Sequence, residues 1–177
     1  MSWEFKQKTT LFTGDYTKVE KWRFITHQDE EKESEILIYP DAVFVFGLTE
    51  DRKVLRLKQY SLATRDYINH LVAGYVETGE KPIDSAKREF KEETGYKANE
   101  WKKLGYSHRS KWATGNYHFY FATDLEQVEE PTPEGSEDIE VKLTSLEKFK
   151  QILFDSNLHA VASVACAYKA LAYLDEI

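Results

Sequence analysis

One cysteine in 177 residues leaves no disulfide framework to stabilise this chain. That residue, Cys166, sits in an apolar stretch and reads as a buried, inert thiol rather than a nucleophile. No apolar run approaches the ~20 residues that a membrane span requires, and Met1 to Lys6 carry no basic-then-apolar signal pattern. A soluble protein of the reducing cytoplasm is therefore the expectation, with no membrane partner. Basic runs are also missing: Lys and Arg total 24 against 31 Asp and Glu, a net charge of −7. Nucleic acid is thus a poor partner, whereas a small phosphorylated ligand remains compatible, because a divalent cation can bridge acidic side chains to phosphate oxygens. None of the five histidines has metal-ligand spacing with another, which argues against zinc. Repeats and low-complexity linkers are absent too, so the length suits one domain.

Apolar residues alternate with polar ones from Trp3 to Tyr39, interrupted by turn material at Gly14-Asp15 and a charged loop from Gln28 to Glu33, which predicts an antiparallel N-terminal sheet over 1–39. A catalytic core over 40–177 follows. Ala42 to Leu48 and Val54 to Gln59 flank a polar turn and predict a hairpin near the core, and Leu71 to Val76 a further strand. Pro82 to Thr94 predicts a helix: proline suits the first turn, Ile83, Ala86 and Phe90 recur at helical spacing, and Gly95 is placed to cap the end. Strands are predicted at Lys102 to Ser107, Tyr117 to Ala122 and Ile139 to Leu143. Between the last two, Glu126 to Asp138 holds six acidic residues and reads as a mobile acidic loop. Helices at Ser145 to Phe154 and Leu158 to Leu174 close the chain. The fold class is mixed α/β.

At 3.6 residues per turn Glu89, Glu92 and Glu93 fall within an arc of about 100°. They crowd the C-terminal turn of the helix, where its dipole and their mutual repulsion each disfavour anions by some tenths of a kcal/mol. A helix shaped only by stability would carry Lys or Arg there. One account is a solvated acidic face with Arg88 paired to Glu92 at i, i+4; the other is a set of hard oxygen ligands for Mg²⁺, with Mn²⁺ as the alternative ion.

The segment Gly74 to Tyr96 decides between them. It resembles the Nudix box: Gly, five residues, Glu, seven residues, Arg-Glu, an apolar residue, any residue, Glu-Glu, any residue, Gly, an apolar residue. Gly74, Glu80, Arg88, Glu89, Glu92, Glu93 and Gly95 meet every fixed position, with aromatic Phe90 and Tyr96 where aliphatic residues are usual. The resemblance, which covers most of the chain, implies an α/β/α sandwich around a mixed sheet, to which the N-terminal sheet is appended. It implies that Glu89 and Glu93 lead in binding divalent ions, with Glu92 and the Ala73 carbonyl assisting. Arg88 is implied to orient a box carboxylate, and Glu80 to brace the loop onto the helix.

Leu71-Val72-Ala73-Gly74 after Gln59-Tyr60, the N-terminal sheet and the Ala-rich last helix resemble the ADP-ribose and nucleoside-diphosphate-sugar pyrophosphatase branch, whose members commonly form dimers through that sheet. Two departures limit the likeness to that branch: His70 stands where glutamate is frequent, and Arg109 to Thr114 lacks the proline associated with ADP-ribose preference, which weighs toward a nucleotide sugar over ADP-ribose. The branch implies a catalytic base on the late acidic loop, Glu137 or alternatively Glu134. That base would deprotonate a water for in-line attack at phosphorus, while metal ions neutralise the diphosphate. Tyr39, Tyr60, Trp112 and Tyr117 are candidates to stack the nucleobase, and Arg65 and Arg109 to hold a phosphate or ribose. A nucleoside-triphosphate or dinucleoside-polyphosphate pyrophosphatase, and a non-catalytic nucleotide-sensing Nudix module, are the competing readings.

Overall fold

The computed structural model describes residues 2–15, 17–132 and 138–177. They form two compact units, Met1–Asp41 with Ser107–Asn116, and Ala42–Tyr106 with Tyr117–Ile177.

In the first unit, β1 (Glu4–Thr13), β2 (Lys18–Ile25) and β3 (Glu31–Ile38) pair antiparallel in sequence order. The charged residues Glu31 to Glu33, expected in a loop, lie in β3. Both faces of that strand's end are wet, and cross-strand ion pairs from Arg23 to Glu31 and Glu33 make charge acceptable there. Residues 107–116 are the tip of a long hairpin made by β8 (Tyr96–Ser110) and β9 (Ala113–Gln127). Leu37 N donates to Trp112 O at 2.9 Å, Tyr39 N to Thr114 Oγ1 at 3.1 Å, and Asn116 N to Asp41 Oδ1 at 2.8 Å. Gly115, at φ 82°, is required by this approach, since a Cβ there would lie 2.5 Å from Pro40 O. The hairpin strands run well beyond their predicted bounds because their polar ends lack the alternation that marks a half-buried strand.

Among the described residues of this unit the one deeply buried carboxylate is Glu20, which accepts hydrogen bonds from Lys18 Nζ at 2.5 Å and Trp22 Nε1 at 2.8 Å, with Lys8 Nζ at 3.6 Å.

In the second unit, β4 (Ala42–Leu48) is buried along its whole length, as its continuous apolar sequence requires. Ala42, Phe44, Phe46 and Leu48 face one cluster, formed with α2 (Leu146–Phe154) and α3 (Val161–Tyr173). Val43 and Val45 face another, formed with Ala86 and Phe90 of α1 (Pro82–Thr94). The unit is thus a sheet between helical layers, mixed because β4 pairs parallel with β9 and antiparallel with β5 (Lys53–Ser61). β5 also pairs along its length with β10 (Ile139–Ser145).

β4 and β5 share only the pairs Gly47–Leu55 and Leu48–Val54, then diverge. The chain fills the opening with β6 (Asp66–His70) on β5 and β7 (Val72–Tyr75) on β4. A single strand from Leu71 to Val76 was expected instead. The polar, largely exposed start of β6 hides it in the sequence, and Leu71 belongs to neither strand. No helix is long and apolar enough to cross a membrane among the described residues.

The donors around Glu20, Lys18 first and then Trp22, hold its carboxyl down at about 2 against an ordinary 4.5. A depressed folded-state pKa adds stability that is complete above the ordinary value and fades as pH falls through the folded value. The melting temperature of wild type should exceed that of Glu20→Gln by a constant margin above about pH 5 that closes between pH 4.5 and about 2. A margin unchanged across that window, followed by tryptophan fluorescence, would contradict this role.

Candidate active site

Helix α1 begins with proline in its first turn and ends at Gly95, whose φ of 74° places it in the left-handed cap conformation and whose N–H donates to Lys91 O. Gly95 also receives a neighbouring segment. Val128 N and Glu129 N both donate to its carbonyl, at 2.9 and 3.2 Å, and a Cβ on Gly95 would lie 2.2 Å from Glu129 O. Thr132 N donates to Glu92 O at 2.8 Å, and Lys91 pairs with Glu129 at 3.1 Å. The start of the acidic loop is therefore bonded to the last turn of α1, where helix carbonyls lack internal partners. At the far side of the loop, Tyr67 Oη donates to Asp138 Oδ2 at 2.7 Å.

Arg88 organises the helix face. Its guanidinium donates through Nη1 to Glu89 Oε1 at 2.8 Å and Glu92 Oε2 at 3.1 Å, and through Nη2 to Glu80 Oε2 at 3.2 Å and the Tyr75 carbonyl at 3.3 Å. Partial burial would weaken its proton, but Glu80, Glu89 and Glu92 together outweigh that and raise its pKa. Glu80, held low by Arg88 and Ser85, accepts from Ser85 Oγ at 2.6 Å and Glu77 N at 3.4 Å. The loop before α1 is thus braced onto the helix through Glu80, Ser85 and Arg88.

Glu93 is buried, 5% exposed, and accepts from Ala73 N at 3.1 Å. The carboxylate of Glu89 lies against Gly74, where a Cβ would come within 2.0 Å of Glu89 Cδ. Gly74 is needed for that close approach rather than for unusual torsion angles. These contacts set Glu93 against Ala73 and Glu89 against Gly74 of β7, while Arg88 joins the Glu92 carboxylate to that of Glu89. Their oxygens are the donor chemistry that Mg²⁺ or Mn²⁺ takes, and a glycine cradle leaves room that a side chain would fill. Among the described residues no three His, Cys, Asp or Glu side chains already form a cation cage.

Glu134 and Glu137 lie outside the described residues. The aromatic and basic candidates fall in both units. Tyr39, Arg109 and Trp112 belong to the first unit, where the Arg109 guanidinium lies 4.4 Å from the Tyr39 ring centroid and Trp112 is exposed at the hairpin tip beside Lys111. Tyr60 and Arg65 belong to the second, Tyr60 edge-on to Tyr67 at 5.5 Å and Arg65 exposed in the following turn at φ 57°. Tyr117 is partly buried and packs edge-on against Phe44 of the core at 5.1 Å. Ser85, the Tyr75 carbonyl and Tyr67 were not singled out by the sequence. Ser85 lies within the box segment but at an unspecified position, and backbone oxygens carry no sequence signal.

The NUDIX domain model matches residues 38–162. A protein of Bacillus subtilis (strain 168) described as an ADP-ribose pyrophosphatase is 34% identical over 115 residues, 64% of this chain and 62% of that protein, so the match spans less than two thirds of its length. The methanol dehydrogenase activator of Bacillus methanolicus is 30% identical over 131 residues, 71% of this chain and 70% of that protein. Among solved structures, one described as an ADP compounds hydrolase superposes with a TM-score of 0.86 over 100% of this chain and 98% of its own, at 18% identity, a likeness of fold.

The Gly74 cradle makes a test possible. Gly74→Ala should displace the Glu89 carboxylate and weaken Mn²⁺ binding by roughly 10- to 100-fold, measured by electron paramagnetic resonance on the metal-titrated protein. Unchanged affinity in a folded variant would show that Glu89 is not a ligand.

Proposed function

The chain belongs to the NUDIX domain family, and from that premise we propose that it hydrolyses the pyrophosphate bond of a nucleoside diphosphate linked to a sugar or similar group. The observation that carries this reading is the α1 face, on which Glu89 meets β7 at Gly74, Glu93 meets it at Ala73 N, and Arg88 bonds Glu89, Glu92 and Glu80. The name of the Bacillus subtilis relative supports ADP-ribose as one member of the substrate class to be tested. The absent proline between Arg109 and Thr114 supports a nucleotide sugar.

A divalent cation, Mg²⁺ or Mn²⁺, supplies charge neutralisation of the diphosphate and acidification of the attacking water when bound. The chain's residues do the rest. Glu89 and Glu93 hold the cation, with Glu92 and the Ala73 carbonyl assisting. Arg88 fixes the carboxylates' orientation through its hydrogen bonds to Glu89 and Glu92. Glu137, or Glu134 beside it, takes the water's proton. Tyr39, Tyr60 or Trp112 stacks the base, and Arg65 or Arg109 holds the phosphate or ribose. The protein works in the cytoplasm on a small nucleotide, without nucleic acid.

A homodimer completes the reading. Strand β1 is exposed along all ten residues, and it carries Phe5, Leu11 and Phe12 into solvent, with Trp3 just before it. A second copy covering that edge is the economical arrangement. Light scattering should give twice the chain mass; a monomer with full activity would remove the dimer from this account.

A panel of ADP-ribose, GDP-mannose, UDP-glucose, CDP-alcohols, NADH and dinucleoside polyphosphates, assayed with Mg²⁺ or Mn²⁺ by phosphate release after phosphatase coupling, tests the activity. Turnover is expected on diphosphate-linked sugars. Preference for dinucleoside polyphosphates would move the protein to another branch, and binding without turnover would make it a sensing module. Within that assay Glu93→Gln should weaken both metal affinity and rate. Glu137→Gln should lower kcat by roughly 10²- to 10⁴-fold with KM and metal affinity nearly unchanged. Near-wild-type kcat in Glu137→Gln, Glu134→Gln and the double variant would place the base elsewhere.

A further inference from the structure

At Leu71 the chain changes partners: His70 is the last residue of β6, paired with Leu57 of β5, and Val72 the first of β7, paired with Val45 of β4. Leu71 itself belongs to no strand and is fully buried, so its N–H and carbonyl lie where no sheet ladder satisfies them. A buried backbone group without a partner is costly, and side chains supply the partners here. Leu71 N donates to Ser163 Oγ of α3 at 3.1 Å. His70 Nδ1 lies 2.9 Å from Leu71 O, and because a carbonyl only accepts, Nδ1 carries the proton and donates. Burial favours the neutral ring and the Leu71 bond opposes it, the former prevailing. His70 Nε2 is then a buried acceptor with no hydrogen-bond partner.

Ser163 is itself fully buried, in a helix whose neighbouring inward positions, Ala162, Cys166 and Ala167, are apolar. Packing alone would place alanine there. The hydroxyl has a specific task, and two residues beyond the peptide it holds come Ala73, whose N–H donates to Glu93, and Gly74, whose bare Cα receives Glu89. Successive strand residues advance by about 3.3 Å, so Ala73 lies only two such steps beyond the Leu71 peptide, at the start of β7.

We propose that Ser163 and His70 are positioning residues for the active site, clamping the Leu71 peptide at the β6–β7 switch so that Ala73 and Gly74 meet the carboxylates of α1 in register. The inference rests on the proposed hydrolase reading for its kinetic readout, but not for its structural one. Loss of the clamp misplaces groups next to the reacting centre without removing any of them, an error of the kind that lowers turnover by about 10- to 100-fold.

The test compares Ser163→Ala, which deletes the acceptor; His70→Leu, which deletes the donor; and His70→Asn, whose side-chain amide retains a donor near the Nδ1 position while deleting Nε2. On the metal-free protein, amide hydrogen exchange in Ser163→Ala should accelerate at Leu71 and Ala73 by about tenfold or more, with β4 and β10 unchanged. Mn²⁺ affinity and kcat should fall together in Ser163→Ala and His70→Leu, with KM nearly constant, and His70→Asn should restore most of the loss. Acceleration spread evenly over the core, or kcat and Mn²⁺ affinity within about twofold of wild type in Ser163→Ala, would reduce the clamp to ordinary packing. Should wild type hydrolyse nothing in the substrate panel, the hydrolase reading fails, while exchange and Mn²⁺ affinity still decide the clamp. Should His70→Leu fail to fold, Ser163→Ala decides it alone.

Discussion

Gathering Glu80, Glu89 and Glu92 at one helix costs Coulomb energy, and the Arg88 guanidinium is the group that offsets it. Like charges one turn apart on a helix disfavour it by some tenths of a kcal/mol per pair, and the helix dipole adds a similar penalty at the C-terminal end. A hydrogen bond to a charged partner contributes about 1.5–3 kcal/mol, so a partly buried arginine with three carboxylates and one carbonyl outweighs that repulsion. The bonds also set geometry. Glu89 is turned toward Gly74, and Glu80 holds the preceding loop.

This arrangement needs a sheet that opens. Because β4 and β5 part after two residue pairs, β6 and β7 can enter between them, and β7 presents Ala73 and Gly74 to α1. Two glycines then work by absence of a side chain. Gly74 admits the Glu89 carboxylate, and Gly95 admits the backbone of Glu129 while capping the helix. The start of the acidic loop is thereby joined to the helix that carries the candidate ligands, and Asp138 beyond it is tied to Tyr67.

The elements whose burial is one-sided or complete were legible in the sequence. Helix α1 matches its predicted bounds, Pro82 to Thr94, because proline, glycine and an apolar stripe each mark it; β4 matches because a strand buried on both faces is a continuous apolar run. Solvent-exposed strands were not: β6 opens on polar residues, and the outer parts of β8 and β9 lack a face that the sequence must keep apolar. At the site, the box gave the residues of α1, whereas the partners supplied by Ser85, Tyr67 and Ser163 depend on tertiary proximity that no local spacing encodes. Aromatic residues were ambiguous for a similar reason. Tyr117 and Tyr60 look alike in sequence, yet one packs against Phe44 in the core and the other is exposed beside Tyr67.

The acidic face of α1 is proposed as a cation site whose carboxylates Arg88 orients. Hydrolysis of a diphosphate-linked sugar, followed while free Mg²⁺ is lowered with a chelator and then restored, tests it most directly. Turnover should fall to background as the cation is removed, return on its addition, and require higher Mg²⁺ in Glu89→Gln. Full turnover in chelator-treated, metal-free protein would contradict the account.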